Sequence, residues 1–532
     1  MNAKGMEYGV WSMEGGTAEK LFVRSHHTPY TIRHTSRGMT TLLVVGFMGV
    51  FMLILGTVTS YAFQQAKYGR ALFAREQALH IAEAGLENFR WLIAHNTSAG
   101  GTVMTTGAGL GALPTSYVVT DPEGGTVGTA TITPTPAYQC GSVQWMDLAS
   151  VGRSDASVGF PRTLLARYMK RSVAEYAFIY NSVVWFGSTN VGVGPYHSNN
   201  GMRMDGTTNS TVTSEVSQVW CDGTSGSLGC NGVSPNPAAG WKTGVFGNSS
   251  VTSLWQYPAS HIDFPGMALN FATLKGYAQT SGIMLNPTSV TRAGVQQGSS
   301  FASVGGADNK GFHLIFKSNG TVDVYRVTAT NGDTIYSYNS VDGWRYDYPV
   351  IASESLVANV SLPSTCSIIY SEAKTWVEGT VSGKVTLFAA DTGAYVPDIV
   401  FNNNIAYATT DGTTGLTAVA EGSLQIGLLV PDTLSLRGIF VAQTGAYSRD
   451  YYYPASGYLP SGYYQYNTRS QLNVAGTIVS YLRGGVCYSS GSGCSSGFLA
   501  RNNSYDRVLA FAPPPFTPAI STDYSLVLWR EQ

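Results

Sequence analysis

Between Met39 and Ala66 the chain carries no charged residue. Its apolar heart, Thr41–Phe63, is long enough to cross a bilayer as a helix of about 20 residues. The apolar region of a secretory signal runs only about 7–15 residues before a small-residue cleavage site. Tyr61-Ala62 and Gln65-Ala66 are the candidate sites for that alternative. Ahead of the span stand Lys4, Lys20, Arg24, Arg33 and Arg37 against Glu7, Glu14 and Glu19, so basic residues border it. Positive-inside logic keeps the N-terminus cytoplasmic and sends everything after Lys67 outside. The expectation is a single-pass cell-membrane protein whose bulk is extracellular.

The composition agrees with that placement. Charged residues make up 12% of the 532, roughly half the globular norm of about 25%. Gly (61), Tyr (32), Ser, Thr and Asn take their place, the mixture of a β-rich, turn-dense exterior protein. With 31 Lys+Arg against 32 Asp+Glu, broad neutralisation of phosphates is excluded, and with it a nucleic-acid partner. Cys221/Cys230 and Cys487/Cys494 form two local pairs in Gly/Ser-rich loops that a disulfide can close with little strain in an oxidising compartment. Free surface thiols are the alternative. Cys140 and Cys366 are left over, and spacing does not decide their bonding.

After the span comes a Pro-free stretch, KYGRALFAREQALHIAEAGLENFRWLIAH, that reads as helix. Leu72, Leu79, Leu86 and Ile93 recur every seventh residue, Ala82 and Phe89 fill the alternate seam positions, and Arg75 breaks it. Such a stripe docks on a sheet or on neighbouring helices. Gly69 and Gly85 each weaken a helix by about 1 kcal/mol relative to Ala, which points to kinks or close contacts. A separate coiled-coil stalk behind a plain anchor is the competing arrangement.

A short basic stretch ending in Arg37-Gly38, then Met39 and a hydrophobic helix, resembles the class III leader of type IV pilins and pseudopilins. AEAGLE at Ala82–Glu87 is similar to the hallmark of PilX-type minor pilins and K-type pseudopilins of type II secretion. The resemblance covers roughly residues 33–95. It implies cutting of the Gly38–Met39 bond by prepilin peptidase and methylation of Met39. It also implies partners: major and minor pilins through the helix, the inner-membrane assembly platform and membrane lipid; a surface glycan or protein receptor is a separate expectation. The fifth mature residue is Leu43 where major pilins have Glu, a departure shared by the minor subunits.

From residue 97 to about 175 the chain turns strand-like, with two strands around a turn in Leu148–Arg167, as expected of a small pilin-like β layer. From Ala177, and again after Ser371, short β runs are cut by Gly and Asn. Val381, Ile405, Ile426, Ile439 and Ile478 mark their centres. Short stacked strands with loops of uneven length indicate a right-handed parallel β-helix, and a β-sandwich is the alternative. VEGTVSGKVTLFAA and the tail NNSYDRVLAFAPPPFTP also resemble large PilX-type proteins with such C-terminal domains. Between the two groups of runs, helical spacing in Met267–Thr280 and a hairpin signal at Asn319-Gly320 suggest a small α+β insertion. The expected order is a leader (1–38), a transmembrane helix (39–66) and its amphipathic continuation (67–96). A β layer (97–175), first solenoid strands (176–215), the insertion (216–370) and a solenoid domain (371–532) follow.

No nucleophile elbow, zinc-protease motif, Walker loop or dinucleotide fingerprint is present. Asp391, Asp398, Asp411, Glu372, Glu378 and Glu421 are scattered carboxylates in turns, where such residues are usually turn-formers. The expectation is a non-enzyme that needs no cofactor and no metal. The residues that stand out are tyrosines: Tyr447–Tyr466 contains eight, among them Tyr451, Tyr452, Tyr453, Tyr458, Tyr463 and Tyr464. Tyr-rich loops with Ser and Gly resemble adaptable binding surfaces and suit stacking on sugar rings. A loop packed on its own neighbours is the plainer reading. Together these features predict a minor-pilin subunit, tip-located, that primes assembly or presents an adhesive surface. A surface adhesin outside any filament and a tethered glycan-active enzyme are the alternatives.

Overall fold

The computed structural model describes residues 38–95, 100–223, 228–234, 236–267, 270–298, 310–331, 335–391, 393, 395–489 and 494–532. The leader up to Arg37 and Leu269 of the helical segment lie outside the described residues. The chain divides into two units, Met1–Arg70 and Ala71–Gln532, which are taken in turn.

Helix α1 (Met39–His95) begins in the first unit. Every described side chain there is exposed, and its most apolar window has a mean hydropathy of 2.4. By length and composition it can cross a membrane.

In the second unit α1 buries Ala74, Ala78, Ile81, Ala82, Gly85, Leu86, Phe89 and Ile93. They dock on an antiparallel sheet made of β1 (Ser116–Thr120), β2 (Thr126–Gln139), β3 (Ser142–Ser154) and β4 (Ser157–Ser172). Ile132, Met146, Leu148, Leu164 and Tyr168 form the sheet side of that core. The stripe differs from the seven-residue seam: Leu72 is exposed and Leu79 half-buried, because a straight α-helix repeats every 3.6 residues and small residues let it lie close. Gly85 is such a contact, since a β-carbon there would meet the Ala130 β-carbon at 2.6 Å, whereas Gly69 touches nothing. The sheet's fifth strand comes from the far end of the chain: Ala519–Glu531 pairs antiparallel with β4. The last residues of the expected 371–532 solenoid therefore belong to the helix-docking sheet. The reason is that β4 needs a partner for its free edge.

Between residues 178 and 504 the stacked ladders are parallel, with antiparallel hairpins added to them, so the antiparallel β-sandwich alternative fails. One column runs Ile283, Ile369, Leu387, Ala418, Phe440, Ile478, Phe178, Tyr196, Val212. Each of these side chains lies in the interior core. Their neighbours Met284, Tyr370, Phe388, Val419, Val441, Val479 and Ile179 point the other way into a second core. That second core is covered by Phe264 and Met267, by Leu274 and Ala278 of the helix Phe271–Thr280, and by Leu509. A sheet buried on both faces has no polar positions to alternate with, which explains runs such as Gly415–Ala420 in which every residue is buried.

Two domain boundaries change accordingly. The chain enters the stack in its middle, at Phe178, and that first run stacks on the last one through Ile478 and through Asn503–Gly192. Residues 216–370 are no separate insertion. Trp255-Gln256 continues one end of the column and Ile283–Leu285 begins the other, while Phe312–Phe316 pairs in parallel with Thr375–Gly379. The helical stretch inside 216–370 is apolar on one face because it lids the second core. The Asn319-Gly320 turn closes a hairpin between Phe312–Phe316 and Thr321–Thr330, with Gly320 at φ +82°. The five marked centres are not equivalent positions: Val381 pairs with Tyr407, and Ile439 with Thr477.

Three disulfides join Cys140 to Cys366, Cys221 to Cys230 and Cys487 to Cys494. The first ties the β2–β3 turn to the residues just before the strand Ile368–Ser371. Gln139 strengthens that seam by donating to the Ser364 carbonyl and accepting from the Ser367 amide.

Candidate functional site

The hairpin Ile335–Asn339 and Gly343–Asp347 pairs with Tyr451-Tyr452 to make a three-stranded antiparallel sheet. The segments IYSYN and GWRYD alternate strictly, so one face collects Tyr336, Tyr338, Trp344 and Tyr346. Register adds Tyr451 to that face, opposite Tyr338. Trp344 sits at the centre. It stacks on Tyr336 at 5.4 Å between ring centroids and meets Tyr451 and Tyr458 edge-on at 5.9 and 5.4 Å. Tyr453 packs edge-on against Tyr458 at 5.3 Å, and Tyr488 closes the group beside Tyr338 and Tyr451. Trp344, Tyr346, Tyr453 and Tyr458 remain exposed, by 44%, 55%, 45% and 37%.

The opposite face of the same sheet is turned inward: Ile335 and Tyr452 pack in a small apolar core, and the other side chains are polar. Asp450 accepts hydrogen bonds from Ser337 Oγ at 2.7 Å and Asn339 Nδ2 at 3.0 Å, and it pairs with Arg345 at 2.9 Å. Asp347 is buried beside them. Desolvation, helped by the charge of Asp450, pushes its carboxyl up to about 6. Burial alone would lower the Arg345 pKa, but Asp450, Asp347 and Asp342 outweigh it and raise it. Arg449, fully buried next in sequence, donates to the carbonyls of Asn467, Leu428 and Tyr466 and so fixes the strand end.

The structure brings together Tyr451, Tyr453 and Tyr458 of the sequence-selected tyrosines. Tyr464 is exposed in the turn Ser461–Tyr466, and Tyr463 is half-buried against the small core around Leu459. Tyr447 and Tyr452 are corrections. Tyr447 lies in the interior core and Tyr452 packs with Ile335 and Leu428, so neither can present a surface. Burial raises the pKa of both phenols. Sequence reasoning missed Tyr336, Tyr338, Trp344, Tyr346 and Tyr488. The alternation of aromatics at every second position in 335–347 was the signal that could have found the first four.

At the other end of the chain, Gly38 precedes α1 and its carbonyl accepts from the Leu42 amide at 3.2 Å. Met39 and Leu43 are exposed, by 77% and 58%. Among the described residues no cluster of three or more His, Cys, Asp or Glu is placed to hold a metal ion.

No family model matches the chain, and no curated protein matches it. Among solved structures it is similar to the competence-associated pilin ComZ from Thermus thermophilus, at 13% identity and a TM-score of 0.27. That alignment covers 86% of this chain and 97% of that one. A superposition this loose carries no argument about fold or function.

Proposed function

We propose that this chain is a pilin-like, non-catalytic subunit of a type IV pilus-related filament, anchored and assembled through α1. One observation carries the reading: α1 is a single helix, Met39–His95, uncharged over Met39–Ala66, whose later part docks on an antiparallel sheet through the small residues of AEAGLE. Ala82, Gly85 and Leu86 of that motif are buried and Ala84 is exposed, so the motif works as a sheet-docking patch. Gly38–Met39, at the start of the helix, is the bond such a subunit would have cut by prepilin peptidase.

Within this reading the subunit belongs to the PilX-like minor class and stands at the filament tip. Leu43 offers no carboxylate to a neighbour's terminal amine, and an ionised carboxylate in the apolar fibre would need such a partner. Residues 97–532 are also too many to repeat beside small neighbours at every step of a tight fibre. A tip position leaves them free to present a surface.

Sequencing the N-terminus of the protein purified from membranes tests the assignment. Met39, probed also for methylation, is the expected first residue, and Gly38→Val should retain the leader. A mature N-terminus near Lys67 would overturn the reading in favour of secretion. Immunolabel spread evenly along filament shafts would overturn tip placement.

A further inference from the structure

We infer that the aromatic face of the sheet 335–339, 343–347 and 451–452 binds an uncharged glycan chain. The sheet is built inside out. Antiparallel sheets with one solvated face normally turn apolar side chains inward and polar ones to water. Here Tyr336, Tyr338, Trp344, Tyr346 and Tyr451 face outward, while Ser337, Asn339, Arg345 and Asp347 face inward onto Asp450, with Ile335 and Tyr452 on the same inner face. Because strand side chains alternate with a period of two, a one-residue slip would exchange the faces. The exchange would expose Ile335 and Tyr452 but bury five large rings in place of Arg345 and Asp347, so folding alone favours it, since burying charges is costly and large rings gain from burial. The observed register makes sense when the ring face is itself the working surface.

The chemistry of that face selects the ligand. Arg345, beneath the face, is engaged by Asp450, Asp342 and Asp347, and Arg483, near Tyr338 and Tyr488, is half-buried. None of the five outward positions is a Lys, Arg, Asp or Glu. An anionic polymer or acidic headgroup would find no counter-charge among those five positions. Protein interfaces are enriched in Arg together with aromatics and carry a polar rim, and this face presents rings alone. An uncharged sugar has an apolar C–H face that stacks on rings and a hydroxyl edge that phenols and the Trp344 indole N–H can meet. The rings are held by stacked and edge-on contacts with one another, and the ion-pair network behind holds the strands, so little ordering cost remains to be met on binding.

This inference rests on the surface-subunit reading for its setting, but its test does not. Full-length protein in detergent is titrated with cellohexaose, chitohexaose and maltoheptaose, and in parallel with hyaluronan and heparin, by calorimetry and tryptophan fluorescence. Binding of at least one neutral oligosaccharide is expected, weakened about tenfold or more by Trp344→Ala, as expected for loss of a stacked ring. Tyr346→Ala, at the most exposed ring, should weaken it too, which keeps the test sound if the Trp344 variant misfolds. Trp241→Ala, which removes an exposed indole on another hairpin, should bind as wild type. No binding by any neutral oligosaccharide, binding confined to the polyanions, or wild-type affinity in both ring variants would each overturn the inference. So would a purified protein partner whose capture needs Trp344 while no sugar binds. Glycan binding by a chain that keeps its leader would overturn the filament reading and leave this one standing.

Discussion

Gly152 lies where β3 comes closest to α1. A β-carbon there would sit 2.0 Å from the Ala78 carbonyl oxygen and 2.6 Å from the Ala82 amide nitrogen, both backbone atoms of the helix. Neither can yield as a flexible side chain could, so Gly152→Val should cost about 3 kcal/mol or more. Thermal unfolding of the full chain in detergent checks this, with Gly69→Ala, where nothing lies within 4 Å, as the tolerated control. A second residue-scale expectation concerns pH. His313 is buried between Glu354 at 2.8 Å and Glu378 at 3.3 Å. Burial pulls its pKa down, but the hydrogen bonds and charges of Glu378 and Glu354 outweigh it and leave it raised. A raised imidazole adds stability that is complete below its unfolded value of about 6.5 and is lost as pH rises through the folded value. Denaturant midpoints should therefore fall as pH climbs above that range, and the fall should flatten in His313→Gln. Neither residue was legible in the sequence, because both depend on partners brought from distant strands.

Elements were more legible. The anchor half of α1 followed from its missing charges and its docking half from its apolar stripe, though the heptad spacing selected Leu72, which the structure leaves exposed. The Asn-Gly hairpin was readable because two residues dictate that turn. The helix Phe271–Thr280 was readable as a helix but not as a lid, since its target is the outer side of strands that follow it in sequence. It is held there by Leu274, Ala278 and the Lys275–Glu372 ion pair. The Cys140–Cys366 bridge closes a sequence separation of 226, against 9 for Cys221–Cys230. Replacing the first pair by serine should cost about 5 kcal/mol, and the second about 2–3 kcal/mol, if chain entropy dominates. Urea unfolding of the two double variants tests the order; equal losses would argue for local packing instead.

At the scale of the molecule, the last run of strands is a keystone. Thr468–Ser480 lies between Thr433–Ala442 on one side and Phe178–Tyr180 on the other, and Ala519–Glu531 completes the helix-docking sheet. A chain ending at Asn467 should lose near-UV circular dichroism throughout its exterior part, and limited proteolysis that yields a stable 178–256 fragment would contradict this. Local pattern determined the membrane-competent helix, the short Gly-punctuated strands and the two close cysteine pairs, because each is set by neighbours within one turn, strand or loop. The order of the rungs, the third disulfide and the choice of buried or exposed tyrosines were settled by tertiary pairing. Phe178 meets Ile478 across three hundred residues, and a rung covered on both faces shows no alternation to mark its register. Tyr451 and Tyr452 are chemically identical neighbours. Only the strand that pairs with them turns one ring to solvent and the other into the core.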